Sequence, residues 1–78
     1  MMYTVIYEKG ESSWGAYAPD LPGVVAAGDS REEVESLIRE AIGFHIEGLN
    51  AEGLAVPQPA SWAGTIEIAA AEARIPFS

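Results

Sequence analysis

Residues 14–33 of the chain read WGAYAPDLPGVVAAGDSREE, and this stretch contains two strand patterns, the turn between them and the start of a helix. Residues 14–18 combine aromatic and small residues and end at a proline, which is typical of a strand. The Asp-Leu-Pro-Gly run at residues 20–23 has the composition of a tight turn. Residues 24–27 form a second short apolar run. The stretch therefore predicts two strands joined by a turn, followed directly by a helix.

The start of the helix has the strongest local pattern. Ser30 and Glu33 have the spacing of a capping box, in which the two side chains accept hydrogen bonds from otherwise free backbone amides. Acidic residues in this first turn also face the positive end of the helix dipole. Gly53 marks the predicted end of the helix. Apolar residues and one histidine recur along it at spacings of three and four and so share one face: Val34, Ile38, Ala41, Ile42, His45 and Leu49.

Two more strands are predicted on either side of this unit. Residues 3–8 are mostly β-branched or aromatic, and residues 9–13 supply a hairpin loop. After a proline-containing connector at residues 54–61, apolar and polar residues alternate over residues 62–70. A right-handed crossover places this last strand parallel to the strand before the helix, beside the first strand. The predicted fold is α+β, with the order β-β-β-α-β, a four-stranded mixed sheet of strand order 3-2-1-4 and one helix on one face. For residues 69–78, a longer strand, a helical turn and a frayed end all remain open.

A single helix covers only one face of such a sheet, so the other face needs a second partner. The first strand has no clearly polar face, and apolar residues also widen the stripe on the helix. We therefore expect a homo-oligomer, either a dimer or a tetramer. The candidate contact residues are Tyr3, Tyr7, Trp14, Tyr17, Leu37 and Phe44.

Composition narrows the class of protein. The chain has 78 residues, which is enough for a single domain over residues 1–78 with one small core. Its net charge is −8, and its four cations are scattered, which argues against direct binding of DNA or RNA. The sequence has no cysteine, no recognisable targeting segment and no apolar run long enough to span a membrane. We expect a cytoplasmic protein.

No residue pattern indicates catalysis. His45 lies within the apolar helix stripe and has no second ligand or nucleophile at a suitable spacing. Asp20, Asp29 and Glu33 could be imagined as carboxylates around a metal ion, but each already fits a turn or a helix cap. Trp14, Tyr17 and Trp62 fit packing better than base stacking, since no basic groove accompanies them. We expect no enzyme activity, no metal and no cofactor.

Taken together, these segments resemble the HicB-like antitoxin family over nearly the whole chain. The matching features are the aromatic second strand, the turn, the glycine before the helix cap, the helix end around residues 44–49 and the proline-containing connector. The resemblance implies a partial, ribonuclease H-like β-β-β-α-β sheet without a catalytic acidic set. Its signature residues in the turn and the helix cap are Asp20, Pro22, Gly23, Gly28, Asp29, Ser30 and Glu33.

The resemblance also implies a partner, a small basic HicA-like toxin that cleaves RNA and is neutralised by the antitoxin. The negative net charge suits association with a basic protein. Many family members carry a C-terminal DNA-binding domain, and we expect none within this chain. The alternative hypothesis is a stand-alone homo-oligomeric domain with a structural or ligand-binding role and no toxin.

Overall fold

The computed structural model describes residues 1–69 and contains three strands followed by one helix. The strands are β1 (Ile6–Lys9), β2 (Trp14–Tyr17) and β3 (Val25–Gly28), and the helix is α1 (Arg31–Ala51). They form an antiparallel sheet of order β1-β2-β3, so each strand pairs with its neighbour in sequence. The predicted three-stranded meander and the helix after it are both present.

Helix α1 is capped at both ends. At its start, the Ser30 hydroxyl accepts a hydrogen bond from the Glu33 amide at 3.1 Å. At its end, Gly53 has a φ of +70°, and the amide of Leu54 donates to the carbonyl of Leu49 at 2.9 Å. Together with the bond from the Gly53 amide to the Asn50 carbonyl, this is a Schellman motif, which stops the helix at a left-handed residue.

The core lies between the sheet and one side of α1. Val34 and Ile38 of the helix are buried against small side chains of the sheet such as Ala16. The helix packs against β2 and β3. Because α1 follows β3 after only two residues, the helix lies over that side of the sheet, and β1 remains at the margin.

The predicted fourth strand is wrong, and with it the four-stranded sheet of order 3-2-1-4. Residues 54–69 contain no strand, and among the described residues the sheet ends at β1 on one edge and at β3 on the other. The connector at residues 54–61 stays against the body through hydrogen bonds to side chains. Residues 62–69, which we call the arm, follow the connector and are exposed, with Trp62 at 90% and Ile66 at 85%.

The physical reason for this error is that alternation shows only that a segment could form a strand. A segment becomes a strand when its backbone hydrogen-bonds to another strand. The arm has the alternating pattern but has no such partner among residues 1–69. The three alternatives for residues 69–78 concern mainly residues outside the described part of the chain. Of these residues only Ala69 is described, and it belongs to no helix or strand.

Candidate functional site

The turn between β2 and β3 is closed by its own backbone. The Leu21 amide donates to the Ala18 carbonyl at 3.0 Å, and the Val24 amide donates to the Leu21 carbonyl at 3.2 Å. Gly23 has a φ of +84°, a conformation that favours glycine. The turn places the Leu21 side chain in the core, where it is 0% exposed. This part of the signature therefore has a structural function.

Asp20, in the same turn, joins it to the connector 40 residues later. Its carboxylate accepts hydrogen bonds from the Ala60 amide at 2.8 Å, the Ser61 amide at 3.0 Å and the Ser61 hydroxyl at 2.8 Å. The Ala60 amide, followed by the Ser61 hydroxyl, lowers the pKa of Asp20, because these bonds stabilise the charged form. We call this arrangement the Asp20 bridge. From the sequence, Asp20 was assigned only a local role in the turn.

Two side chains before β1 hold the same connector. The Tyr3 hydroxyl donates to the Pro57 carbonyl, and the Thr4 hydroxyl donates to the Ser61 carbonyl. Because Ile6 pairs with Tyr17 in the sheet, these residues lie near the end of β2 and the turn that follows it. The connector is therefore fixed at one end of the sheet, and the arm starts from that point.

The second part of the signature surrounds the start of α1. The Glu33 carboxylate accepts a hydrogen bond from the Asp29 amide at 2.6 Å. A Cβ atom on Gly28 would lie 2.5 Å from the same carboxylate oxygen, so glycine leaves room for Glu33 to reach back. The structure places these residues at one end of β3 and Asp20 with Gly23 at the other end. The signature residues therefore form two separate structural motifs and no single site.

An open groove lies between β1 and α1, and we call it the β1–α1 groove. Its volume is about 540 Å³. Arg31 stacks over the ring of Tyr7, with 4.5 Å between the guanidinium carbon and the ring centroid. The residues that line the groove are Met1, Met2, Tyr3, Val5, Tyr7, Arg31, Glu35, Ile38, Arg39 and Ile42. The groove exists because α1 covers β2 and β3 and leaves the helix-facing side of β1 partly open.

The candidate oligomer-contact residues lie on different surfaces. Tyr3, Tyr7 and Trp14 are partly buried and pack against the core on the side of the helix. Tyr17 lies on the opposite face of the sheet, in register with Ile6 and Val25, and is 39% exposed.

The other two candidates are on α1, where Leu37 is 40% and Phe44 is 74% exposed. The six residues therefore do not make one patch, and which of them contact another copy remains a prediction.

The described residues offer little for catalysis or metal binding. Within residues 1–69, no group of three or more His, Cys, Asp or Glu side chains could hold a metal ion. Partly buried His45 lies on α1. In the same part of the chain, no helix is both long and apolar enough to cross a membrane. The features with potential for binding are the β1–α1 groove, the exposed apolar side chains and the acidic surface of α1.

Comparison with known proteins gives consistent matches. A family model described as HicB-like antitoxin of bacterial toxin–antitoxin system matches residues 3–73. An uncharacterized 14.9 kDa protein from the rep-hol intergenic region of Haemophilus phage HP1 is 41% identical over 49 residues, which are 63% of this chain and 37% of that protein. The chain thus spans little more than a third of the phage protein. A UPF0150 protein of Helicobacter pylori strain J99 is 38% identical over 55 residues, covering 70% of this chain and 76% of that protein.

One solved structure is also similar to the chain. It is a chain from a structure described as the HicA3 and HicB3 toxin–antitoxin complex, with a TM-score of 0.65 and 31% sequence identity. The match covers 78% of this chain and 71% of the other chain. Both the sequence and the arrangement of the fold are therefore similar to those of a chain from a toxin–antitoxin assembly.

Proposed function

Because the chain belongs to the HicB-like antitoxin family, we propose that it binds a small basic HicA-like toxin and neutralises its RNA-cleaving activity. The observation that carries this proposal is the 31% identical match, at a TM-score of 0.65, to a chain from the HicA3 and HicB3 complex. In this role the chain is a binding protein and not an enzyme, and it acts in the cytoplasm, where the toxin would meet its RNA.

Electrostatics support a basic partner. Twelve acidic and four basic residues give the chain a net charge of −8. Opposite charges on two proteins increase their association rate, and salt screens this attraction. Five of the twelve acidic residues lie on α1, and all five are exposed: Glu32, Glu33, Glu35, Glu40 and Glu47. We infer that the outer surface of α1 provides the electrostatic attraction for the toxin.

The test requires a candidate toxin, a small basic protein encoded beside this chain, which is purified and assayed for cleavage of a labelled RNA. Adding the chain is expected to stop RNA cleavage once a fixed molar ratio of chain to toxin is reached. Binding of the chain to the toxin should weaken as the salt concentration rises. If the chain leaves cleavage unchanged at low salt, the antitoxin proposal is wrong. The domain would then fit the alternative of a stand-alone homo-oligomer.

Two matched charge variants test which surface of this chain binds the toxin. The double variant Glu40→Gln and Glu47→Gln removes two exposed charges from α1, and Glu8→Gln with Glu11→Gln removes two exposed charges from the β1–β2 hairpin. The helix variant is expected to lower the association rate with the toxin more than the hairpin variant does. The opposite order would assign the toxin to the sheet edge.

We also propose that the chain forms a homo-oligomer. The supporting observation is the set of exposed apolar side chains on the body, including Val25 at 66%, Phe44 at 74% and Leu54 at 54%. Light scattering of the purified chain should give a mass at least twice that of one copy at micromolar concentration. A monomeric mass there would refute this proposal.

A further inference from the structure

We propose that the arm of one chain, residues 62–69, docks in the β1–α1 groove of a second copy, and that two chains exchange their arms in this way. Each arm would then lie between β1 and α1 of the other chain. The inference concerns how two copies of the chain associate and does not depend on binding of a toxin.

The β1–α1 groove has the features that a docking strand requires. Its floor consists of the partly buried side chains of Tyr3, Val5 and Tyr7, and Ile38 and Ile42 of the helix form an apolar wall. Beside this floor, β1 is an edge strand, since among residues 1–69 it pairs only with β2. An edge strand presents free backbone amides and carbonyls to an added strand. The groove can therefore bind both the backbone and the apolar side chains of an extended segment.

The arm has matching properties. Ile66 and Ile68 alternate with Thr65 and Glu67, so an extended arm has one apolar face and one polar face. Ile66 is 85% and Ile68 is 57% exposed. At about 3.3 Å per residue, the eight residues of the arm span about 26 Å, and residues 3–9 along the groove span about 23 Å. Length and alternation both fit the groove.

Charge also favours this pairing. The rim of the groove carries Arg31 and Arg39 beside the single acidic Glu35. The arm has one charged residue, Glu67, and no cation. A net positive rim attracts a negative segment, although the rest of the chain is strongly acidic.

A second copy is the occupant because the arm leaves its own body. The hydrogen bonds of Ser61 with Asp20 and Thr4 fix the chain at the start of β1. Residues 62–69 do not line the groove of their own chain, and Trp62 is 90% and Ile66 85% exposed. A molecule with an open groove and a projecting complementary segment can satisfy both by reciprocal exchange, which closes as a symmetric dimer.

Cross-linking between two chains tests the exchange directly, because the natural sequence has no cysteine. One chain would carry Val5→Cys in the groove and a differently tagged chain Ile66→Cys in the arm, mixed under refolding conditions and treated with a short bismaleimide. The expected product is a covalent heterodimer of the two tagged chains. Val25→Cys, on the opposite face of the sheet, is the matched control and should give little of this product with Ile66→Cys.

A doubly substituted chain distinguishes the two possible sources of the arm. A single chain with both Val5→Cys and Ile66→Cys is diluted into excess cysteine-free protein, so that its exchange partner carries no cysteine. Exchange then predicts that no cross-link forms within the doubly substituted chain. An unchanged cross-link within one chain would show that each arm occupies its own groove and would overturn the proposal. Absence of the covalent heterodimer in the first experiment would overturn it as well.

Substitutions in the arm provide an independent measurement. Ile66→Asp places a charge on the apolar face of the arm and should raise the dissociation constant of the dimer by about tenfold or more, since each dimer buries this side chain twice. Thr65→Asp, on the polar face, is the matched control and should change it by less than about threefold. Equal effects of the two variants would contradict the docking geometry. Toxin neutralisation, measured separately, would test the proposed function and not this exchange.

Discussion

Replacing Leu21 by alanine tests the inference that the β2–β3 turn anchors the core. The Leu21 side chain is 0% exposed and lies among the largest fully buried side chains of the described residues. Its backbone bonds to Ala18 and Val24 do not involve the side chain, so Leu21→Ala isolates the packing contribution. Substitution of a buried leucine by alanine costs about 2–5 kcal/mol, from lost transfer free energy and the remaining cavity.

The loss is large compared with the expected stability of the chain. A protein of 78 residues is stable by roughly 4–12 kcal/mol. A loss of about 3 kcal/mol would lower the melting temperature by roughly 12–24 °C in a domain of this size. Leu21→Ala should therefore leave a protein that is partly unfolded near body temperature if the natural stability is at the low end of this range.

Urea denaturation followed by circular dichroism and tryptophan fluorescence measures this loss. Leu54→Ala is the matched control, because Leu54 is 54% exposed and its replacement should cost less than about 1 kcal/mol. Both variants need measurement at several protein concentrations, since association of copies adds to the apparent stability. Equal losses of unfolding free energy in the two variants would refute the assignment of Leu21 to the core.

Three further substitutions test the caps and the Asp20 bridge. Gly28→Ala should lower the free energy of unfolding by about 1 kcal/mol, because the new Cβ atom displaces the Glu33 carboxylate. Gly43→Ala, with open space around it in the helix, should raise the free energy of unfolding by roughly 0.5–1 kcal/mol. A change of the same sign for both variants in urea denaturation would contradict this. Gly53→Ala should cost about 1–2 kcal/mol in the same assay, because alanine is strained at a φ of +70°, and an unchanged midpoint would argue against the Schellman motif. The folded pKa of Asp20 is lowered, so its stabilising effect is present above its unfolded pKa near 3.8 and is lost as pH falls through the folded value. Asp20→Asn should remove this contribution to the pH dependence of stability and speed hydrogen exchange at the amides of residues 60–61. Exchange rates equal to those of the natural chain would show that the bridge does not hold the connector.

The sequence predicted those features that depend on neighbouring residues. The helix begins at Arg31, directly after the predicted cap Ser30, and Gly53 lies where the helix stops. These elements are specified by residues three to six positions apart, whose hydrogen bonds are local. The strand from residue 14 was also predicted, because turn residues follow it within a few positions.

The features that the sequence did not predict depend on distant residues. The Asp20 bridge joins atoms 40 and 41 residues apart, and an aspartate in a turn has the same local pattern whether or not it makes such bonds. The alternating residues 62–69 have the pattern of a strand, but pairing depends on whether an edge is reached. The β1–α1 groove likewise follows from the position of α1 over β2 and β3, which no short motif encodes.

The Asp20 bridge has a consequence for the order of events during synthesis. The meander and the helix cap use local contacts, which form early, while a contact across 40 residues requires closure of a long loop. Ser61 must also leave the ribosome before it can reach Asp20. We therefore expect residues 1–53 to form the sheet, the helix and the β1–α1 groove before the Asp20 bridge fixes the connector, so that the groove is complete before the segment that carries the arm is held in place.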